Sequence, residues 1–414
     1  MPLPTGFLDD LLSRVSLAQL VGRKVSWDPR KSNPGKGDFW APCPFHQERS
    51  PSFHVDDRKG FYYCFGCNAK GDAVSFLRES ENLGFMEAVE RLAAEAGVPM
   101  PARDPGSAAR EAARNGLVEA MEAAARFYRL QLAAAAGAEA RAYLARRGGA
   151  PDTEARFGLG YAGRDRQGLY RALTARGFAP AALVEAGLCR RPDDGGAPYD
   201  TFRDRILFPI RDSRDRVIAF GGRAMAADAR AKYLNSPETP LFDKGRTLYN
   251  AGPARAAAGK SGALVVVEGY MDVIALAQAG IGHAVAPLGT AITADQLALM
   301  WRIADEPVVA LDGDTAGQGA AQRLVDLALP LLAAGKGLRF ALMPPRQDPD
   351  DVIRAGGRRA FEALAAASRP MVDLLWSRET EGAVLDSPER RAALDARLRA
   401  HLGRVADPAI RAHY

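Results

Sequence analysis

The 414-residue chain has little cysteine and little histidine, four and five residues respectively. The cysteines are Cys43, Cys64, Cys67 and Cys189, and three of them fall in one short segment. Such a set does not staple a secreted fold. It suits a metal site in a reducing compartment, so a cytoplasmic setting is expected. No apolar run reaches the ~18 residues of a membrane span, and no membrane partner is expected. The start, Met1-Pro2-Leu3-Pro4-Thr5-Gly6, lacks the charged residues and apolar core of a secretory signal. Neither sign of charge dominates: 55 Lys and Arg against 50 Asp and Glu leave +5. That balance is compatible with a polyanionic partner without requiring one. There is no internal repeat and no low-complexity tract beyond an alanine bias. A P-loop is missing too. Gly259-Lys260-Ser261 has the form of the end of one, but Ala254 stands where its first glycine belongs. The segment also precedes a strand pattern instead of following one, which excludes an ATP-driven motor.

What is present fits a soluble globular chain of two or three domains, 47% hydrophobic and 25% charged. Residues 1–100 form a first unit, opening with a helical pattern (Phe7, Leu8, Leu11, Leu12, Val15) and closing with Phe85 to Ala96. Residues 101–115 mix Pro, Arg, Ala, Gly and Ser and read as a linker with partial helicity. Gly116 to Arg147 is Ala-rich and helical, and the rest of 116–258 is mixed α+β, with strands at Arg205 to Ile210 and Val217 to Phe220. From 259 to 345 strands alternate with helices: Ala263 to Val267, His283 to Ala286, Val308 to Leu311 and Leu338 to Leu342, with helices starting near Met271, Thr293 and Thr315. That succession implies a mostly parallel sheet with right-handed crossovers. Residues 346–414 read as an acidic loop followed by helices.

Three of those strands end in acid. Val267 runs into Glu268, Leu311 into Asp312-Gly313-Asp314, and Leu342 leads through a Pro-rich turn to Asp348-Pro349-Asp350-Asp351. In an open α/β sheet, ligands bind at the carboxyl ends of the strands. A carboxylate cluster there repels itself unless a divalent cation neutralises it, and all-oxygen ligands suit magnesium or manganese. Each acid has a plainer role open to it: Asp272 as a first-turn helix acid, and Asp348 and Asp350 as turn residues beside Pro349. Recurrence after three strands of one sheet favours metal-assisted phosphate chemistry, with two or more ions. Gly313 permits a tight turn between Asp312 and Asp314, and Gly269 and Gly289 permit close approach of backbone to phosphates.

Cys43-Pro44-Phe45-His46 is followed, 17 residues on, by Cys64-Phe65-Gly66-Cys67. Two pairs with two-residue gaps grip one tetrahedral zinc, and four protein ligands leave no open position, so the site is structural. His54 is a rival ligand but sits in a strand pattern, where it reads as a surface residue. Cys189 reads as a small core residue. Phe39, Phe53 and Phe61 are expected in the minicore. Trp40, Tyr62 and Tyr63, near Arg49, Arg58, Lys59 and Lys70, are open both to packing and to stacking on unpaired bases.

Between the two metal sites lie Arg203-Asp204-Arg205, Phe220-Gly221-Gly222-Arg223, Lys232 to Thr239 and Lys244-Gly245-Arg246. They are open to two readings: solvated charges near turns, or an electrostatic groove for triphosphates and a template backbone.

These motifs together resemble the bacterial replicative DNA primases of the DnaG type, along nearly the whole chain. Cys43 to His46, Ser50-Pro51-Ser52-Phe53, Tyr63 to Cys67 and Lys70-Gly71-Asp72 resemble that family's zinc-binding domain. Arg205 to Ile210 and Tyr233 to Thr239 resemble its polymerase core, and Val267 to Asp272 with Asp312-Gly313-Asp314 resemble its Toprim segment. The implied fold is multidomain: a zinc ribbon, an α+β subdomain, a Toprim α/β parallel-sheet subdomain and C-terminal helices.

The resemblance implies a DNA-dependent RNA polymerase that makes short primers on a single-stranded DNA template from ribonucleoside triphosphates. Glu268, Asp312 and Asp314 are the catalytic candidates. Together with Asp348 and Asp350, and with Asp272 in support, they would hold the magnesium or manganese ions. Arg223, Lys232 and Lys244 would contact nucleotide phosphates or template, Asn235 would position the nucleotide, and Arg147 is a further candidate in the same region. Chains of this type usually carry another C-terminal helical domain that docks on the replicative helicase. Residue 414 falls where that domain would begin, so helicase docking is not assigned here. A monomer is expected. The alternatives are a Toprim nuclease or topoisomerase, and a zinc-ribbon DNA-binding module with an inactive Toprim domain.

Overall fold

A computed structural model describes residues 3, 6–46, 48, 50–81, 83–101, 105–289 and 291–414, without the side chains of 105–109. Arg49, residues 102–104 of the expected linker, and most of the Met1 to Gly6 start lie outside the described residues. The chain forms two compact units, residues 1–110 and 111–414. Among the described residues no helix is long and apolar enough to cross a membrane.

The first unit opens with helices α1 (Phe7–Ser13) and α2 (Leu17–Gly22). A four-stranded antiparallel ribbon follows: β1 (Asp38–Ala41), β2 (Phe53–Asp56), β3 (Phe61–Cys64) and β4 (Lys70–Gly71). Helices α3 (Ala73–Glu81) and α4 (Phe85–Glu95) complete it. Register decides which aromatics are inside. Phe39 pairs with Val55, Val55 with Tyr62, and Phe53 with Cys64, so these share one face. Phe53, Val55, Tyr62 and Cys64 are fully buried, with Phe53 and Tyr62 rings 5.1 Å apart. The expected inner Phe61 is 43% exposed, and Tyr62, a stacking candidate by sequence, fills the core instead. Alternation along a strand forces this exchange: Cys64 faces inward, so Tyr62 must too and Phe61 cannot.

The second unit takes in most of the long helix α5 (Pro105–Ala133), which starts inside the segment read as linker. The helical stretch expected to run on to Arg147 breaks at Ala134, which is extended, and a short turn ending at Gly137, where a Cβ would stand 2.3 Å from the Leu132 carbonyl, leads to α6 (Ala138–Arg146). Next come α7 (Pro151–Phe157), β5 (Gly160–Ala162), α8 (Gly168–Thr174), α9 (Pro180–Glu185), β6 (Cys189–Arg190) and β7 (Tyr199–Asp200). β8 (Arg205–Arg211), β9 (Val217–Ala224) and β10 (Tyr233–Asn235) join β5 in an antiparallel sheet of order β10-β9-β8-β5. β9 carries Gly221 because the Tyr270 ring lies across it; a Cβ would sit 2.3 Å from that ring. Cys189 is a buried free thiol, as expected of a core residue.

The alternating segment then forms β11 (Leu248–Tyr249), α10 (Ala251–Ser261), β12 (Val265–Val266), α11 (Tyr270–Gln278), β13 (Ala284–Pro287), α12 (Ala294–Ile303), β14 (Val308–Leu311), α13 (Thr315–Ala328) and β15 (Arg339–Leu342). The chain ends in α14 (Pro349–Ala366), β16 (Arg369–Pro370), α15 (Met371–Thr380), α16 (Pro388–Gly403) and α17 (Pro408–His413). The sheet order is β11-β13-β12-β14-β15-β16, with β13, β12, β14 and β15 parallel and antiparallel strands at both edges. The crossovers from β12 go first to one side, to β13, and then back past β12 to β14. The strand order therefore reverses between β12 and β14, the place where such sheets open a ligand crevice.

Candidate metal centres and the basic groove

In the first unit Cys43, His46, Cys64 and Cys67 bring their ligand atoms within 4.8 Å of one another. Cys43 Sγ and Cys67 Sγ are 3.8 Å apart, as are Cys64 Sγ and His46 Nδ1. Two thiolates each about 2.3 Å from one tetrahedral ion stand roughly 3.8 Å apart, so the set fits zinc. Glu48 supports it from outside. Its carboxylate lies 3.4 Å from His46 Nε2 and accepts from the Cys43 amide at 2.7 Å and the Ser52 hydroxyl at 2.7 Å. A carboxylate on the far nitrogen of a ligating histidine holds the ring in place and leaves the near nitrogen free to bind. His54 is not in the set: its Nε2 lies 2.7 Å from Asp38 Oδ1.

The outer face of the ribbon carries aromatics. Trp40 stacks on Phe65 at 5.7 Å and lies 4.6 Å from His54, and Tyr63 meets Phe65 edge-on at 4.8 Å. Phe65 is 63% exposed, and Lys31 sits over the Trp40 ring. Phe65 was missed in the sequence because it lies inside the Cys64–Cys67 turn, outside any strand pattern.

In the second unit Glu268 follows β12 and Asp312 follows β14, on the two sides of the switch point. Glu268 Oε1 accepts from the Asp312 amide at 3.1 Å. Gly313 stands here for a different reason than a tight turn: a Cβ would lie 2.0 Å from the Pro344 carbonyl. Its amide donates to Gln347 O at 3.0 Å and its carbonyl accepts from the Arg346 amide at 2.9 Å, so the Asp312–Asp314 loop is stitched to the loop leading to Asp348. Gly269 approaches Asp272, its amide donating to Asp272 Oδ2 at 2.9 Å. A Cβ at Gly289 would lie 4.0 Å from the Ala291 carbonyl, an ordinary contact.

The five strand-end acids divide into two kinds. Glu268, Asp312 and Asp314 have no ion-pair partner among the described residues. Asp312 Oδ1 is buried with no hydrogen-bond partner. Burial, then the charges of Glu268, Asp348, Asp314 and Asp351, push the Asp312 carboxyl up to about 7. Asp314 caps α13, accepting from the Gly317 amide at 2.8 Å. Asp350, by contrast, is 1% exposed and paired with Arg147, while Arg354 Nε lies 3.5 Å from its other oxygen. Burial still pushes Asp350 up against the pull of those two cations. Asp348 ends the loop as the extended N-cap of α14, accepting from the Asp351 amide at 2.7 Å, whereas Asp350 stands in the helix, of which Pro349 is the first residue. Asp348 lies 3.8 Å from Arg147. Asp272, 6% exposed, brackets two helices, accepting from Gly269 at the start of α11 and from the Asp350 amide at 3.4 Å. Burial, then Asp348 and Asp312, push it well above the usual carboxylate range. Among the described residues no trio of acids closes as compactly as the Cys/His set. The donor chemistry nonetheless fits a divalent cation, because three carboxylates lack an ion-pair partner among the described residues and two acid oxygens, Asp312 Oδ1 and Asp350 Oδ1, are buried with no hydrogen-bond partner.

The basic candidates also divide. Arg223 ends β9, half-buried, and its guanidinium stacks on Tyr143 at 3.8 Å. Lys232 is exposed beside the Tyr233 ring. Lys244 is exposed, 3.6 Å from Glu238, on a short turn pinned by Gln296, whose Nε2 donates to the Lys244 and Thr247 carbonyls at 2.8 and 2.9 Å. Arg205 is spent on structure, donating to the Gly222, Ala231 and Lys232 carbonyls. Asn235 is largely spent too. Its Nδ2 donates to Leu288 O at 2.6 Å and its Oδ1 accepts from Tyr270 Oη at 2.6 Å, so it ties the antiparallel sheet to α11, with one Nδ2 hydrogen left over.

The chain matches three sequence families: the CHC2 zinc finger over residues 3–107, the DNA primase catalytic core N-terminal domain over residues 127–255, and the Toprim domain over residues 262–340. The DNA primase of Neisseria meningitidis serogroup A is 41% identical over 415 residues, covering 99% of this chain and 68% of the relative. The structure of the Aquifex aeolicus primase zinc-binding and RNA polymerase domains is 29% identical, with a TM-score of 0.62, covering 98% of this chain and 94% of that one. The DnaG primase catalytic domain bound to ssDNA is 38% identical, with a TM-score of 0.67, covering 73% of this chain and 94% of that one. These likenesses leave a Toprim nuclease or topoisomerase disfavoured. By sequence family, by identity along its length and by fold, the chain belongs to the bacterial DNA primases of the DnaG type, RNA polymerases that synthesise primers on single-stranded DNA.

Proposed function

We propose that Glu268, Asp312 and Asp314 form the catalytic centre of this primase and hold two magnesium or manganese ions. The observation that carries the reading is that these three stand at the strand ends beside the switch point without an ion-pair partner among the described residues, with Glu268 on the Asp312 amide and Asp312 Oδ1 orphaned. A bound divalent ion supplies charge neutralisation for the attacking 3′-hydroxyl and the leaving pyrophosphate. The chain's own residues position and orient. Glu268 fixes the start of the Asp312 loop through its amide, and Asp314 does the same for α13. Arg223, Lys232 and Lys244 offer cations to triphosphate and template phosphates, which steers the polyanions without dictating their sequence. Asp348 and Asp350 flank this centre, each with its Oδ2 beside Arg147, and Asp350 Oδ1, buried with no hydrogen-bond partner, is a further candidate ligand. Catalysis is then mostly positioning plus electrostatics.

The Cys43, His46, Cys64 and Cys67 set holds one structural zinc. The outer face of its ribbon, with Trp40, Tyr63 and Phe65, stacks on unpaired template bases beside Lys31 and Lys70. The test is primer synthesis on single-stranded DNA with ribonucleotides and magnesium or manganese, sized on a gel. Asp312→Asn abolishes product while DNA binding stays. Full product from that variant would sink the assignment.

A further inference from the structure

Tyr143 is the groove residue that neither the acids nor the phosphate contacts explain. It lies on α6, four residues before Arg147, so ring and cation share one face of that helix a turn apart. Arg147 is committed to Asp350 and Asp348. The ring of Tyr143 lies 3.8 Å from the Arg223 guanidinium carbon, which is van der Waals contact. The rest of that guanidinium is constrained as well. Nη1 donates to the Ala224 carbonyl at 2.8 Å, and Nε is buried with no hydrogen-bond partner. Nη2 has no hydrogen-bond partner among the described residues either but, unlike Nε, is not buried, and Arg223 has no carboxylate partner among them. An arginine at a strand end has several rotatable bonds, and without the ring its cation would sweep the groove. With the ring it is held flat, one edge presented.

We propose that Tyr143 is a positioning residue: its ring fixes the plane of the Arg223 guanidinium so that one free edge meets a phosphate oxyanion. The inference rests on the reading of Arg223 as a phosphate contact. That oxyanion belongs to the triphosphate or to the template backbone, and the experiment separates the two. In the full chain, ribonucleotide KM and kcat are measured in primer extension, and single-stranded DNA affinity is measured by fluorescence anisotropy. Tyr143→Leu weakens one of the two affinities about five-fold, the change that ~1 kcal/mol of lost cation–π contact gives, with kcat unchanged. A rise in ribonucleotide KM assigns the triphosphate, and weaker DNA binding assigns the template. Tyr143→Phe keeps the ring and behaves as wild type. In an Arg223→Ala background Tyr143→Leu adds nothing, because the ring then has no cation to hold.

Tyr143 also packs against the core, so melting curves accompany each variant, and Tyr143→Met serves as a second ring-free substitution with fuller volume. A purely structural role would make Tyr143→Leu cost as much without Arg223 as with it, and that result overturns the inference. So does wild-type affinity in both arms for Tyr143→Leu while Arg223→Ala weakens one, an outcome that leaves the Arg223 reading intact. If Arg223→Ala changes neither affinity, the reading of Arg223 fails and the inference fails with it.

Discussion

A carboxylate held against its neighbours should destabilise the ion-free fold, and Asp312 gives that idea a magnitude. Burial, and then the charges of Glu268, Asp348, Asp314 and Asp351, push its carboxyl from an ordinary 3.8 up to about 7. About three pKa units correspond to roughly 4 kcal/mol between the protonation states. The side chain is only half-buried, so solvent screening reduces this to about 2 kcal/mol. The sign follows from linkage. A carboxyl whose folded pKa is raised gives its full stability below about pH 3.8 and loses it as the pH climbs through about 7. Asp312→Asn removes the charge and keeps the shape. At pH 8, dialysed free of magnesium and manganese, the variant's second unit should therefore melt a few degrees above wild type. At pH 5 the gap should narrow. Magnesium at about a hundred times its dissociation constant should raise the wild-type transition by about 2.7 kcal/mol equivalent and leave the variant nearly unmoved. The assay is calorimetry at both pH values with and without ion, beside the primer gel. Equal melting of the two proteins at pH 8, or a variant that still makes primers, refutes the electrostatic reasoning.

Other substitutions probe the rest of the design. Cys64→Ser should lower zinc content measured by atomic absorption and melt the first unit, with initiation impaired, because the metal's binding energy is folding energy there. Gly313→Ala should cut primer synthesis ten-fold or more and cost about 1–3 kcal/mol, since its Cβ would meet the Pro344 carbonyl at 2.0 Å and part the two acidic loops. Asp314→Ser should separate capping from charge: the hydroxyl still caps α13, so stability stays within about 0.5 kcal/mol of wild type, while primer synthesis is lost.

The zinc site was legible in the sequence because its ligands lie in two local pairs, where spacing alone sets geometry. The strands of the parallel sheet were legible because buried β-branched runs stand out between glycines and prolines. What stayed hidden is two-fold or tertiary. Period-two alternation leaves open which face is inside, so Phe61 and Tyr62 could be exchanged. The inward Cys64, two residues from Tyr62, carried the phase. Strand order is not written in any local pattern, so the switch point between β12 and β14 had to be seen. Asn235 and Arg205 read as groove residues by type, yet their partners at Leu288, Tyr270 and the 231–232 carbonyls are distant or backbone. The helical start at Asp348 did carry a signal: an Asp followed by Pro is an N-cap and first-turn pair.

Capping and ion binding are not competing uses of these acids. A carboxylate has two oxygens, and an N-cap needs one. Asp314 gives one oxygen to the Gly317 amide and Asp348 gives one to the Asp351 amide; each keeps a second, that of Asp348 lying 3.8 Å from Arg147 Nη2. The helices so capped, α13 and α14, point their amide ends at the crevice, and the positive end of a helix dipole eases the gathering of anions there. Asp272 spends both oxygens on the Gly269 and Asp350 amides, and Asp350 is enclosed by Arg147 and Arg354. Free oxygens, not acidic residues, are therefore the quantity that decides membership of a metal centre. By that measure the proposed centre is Glu268, Asp312 and Asp314, flanked by Asp348 and by Asp350, whose Oδ1 is buried with no hydrogen-bond partner, while Asp272 belongs to the frame.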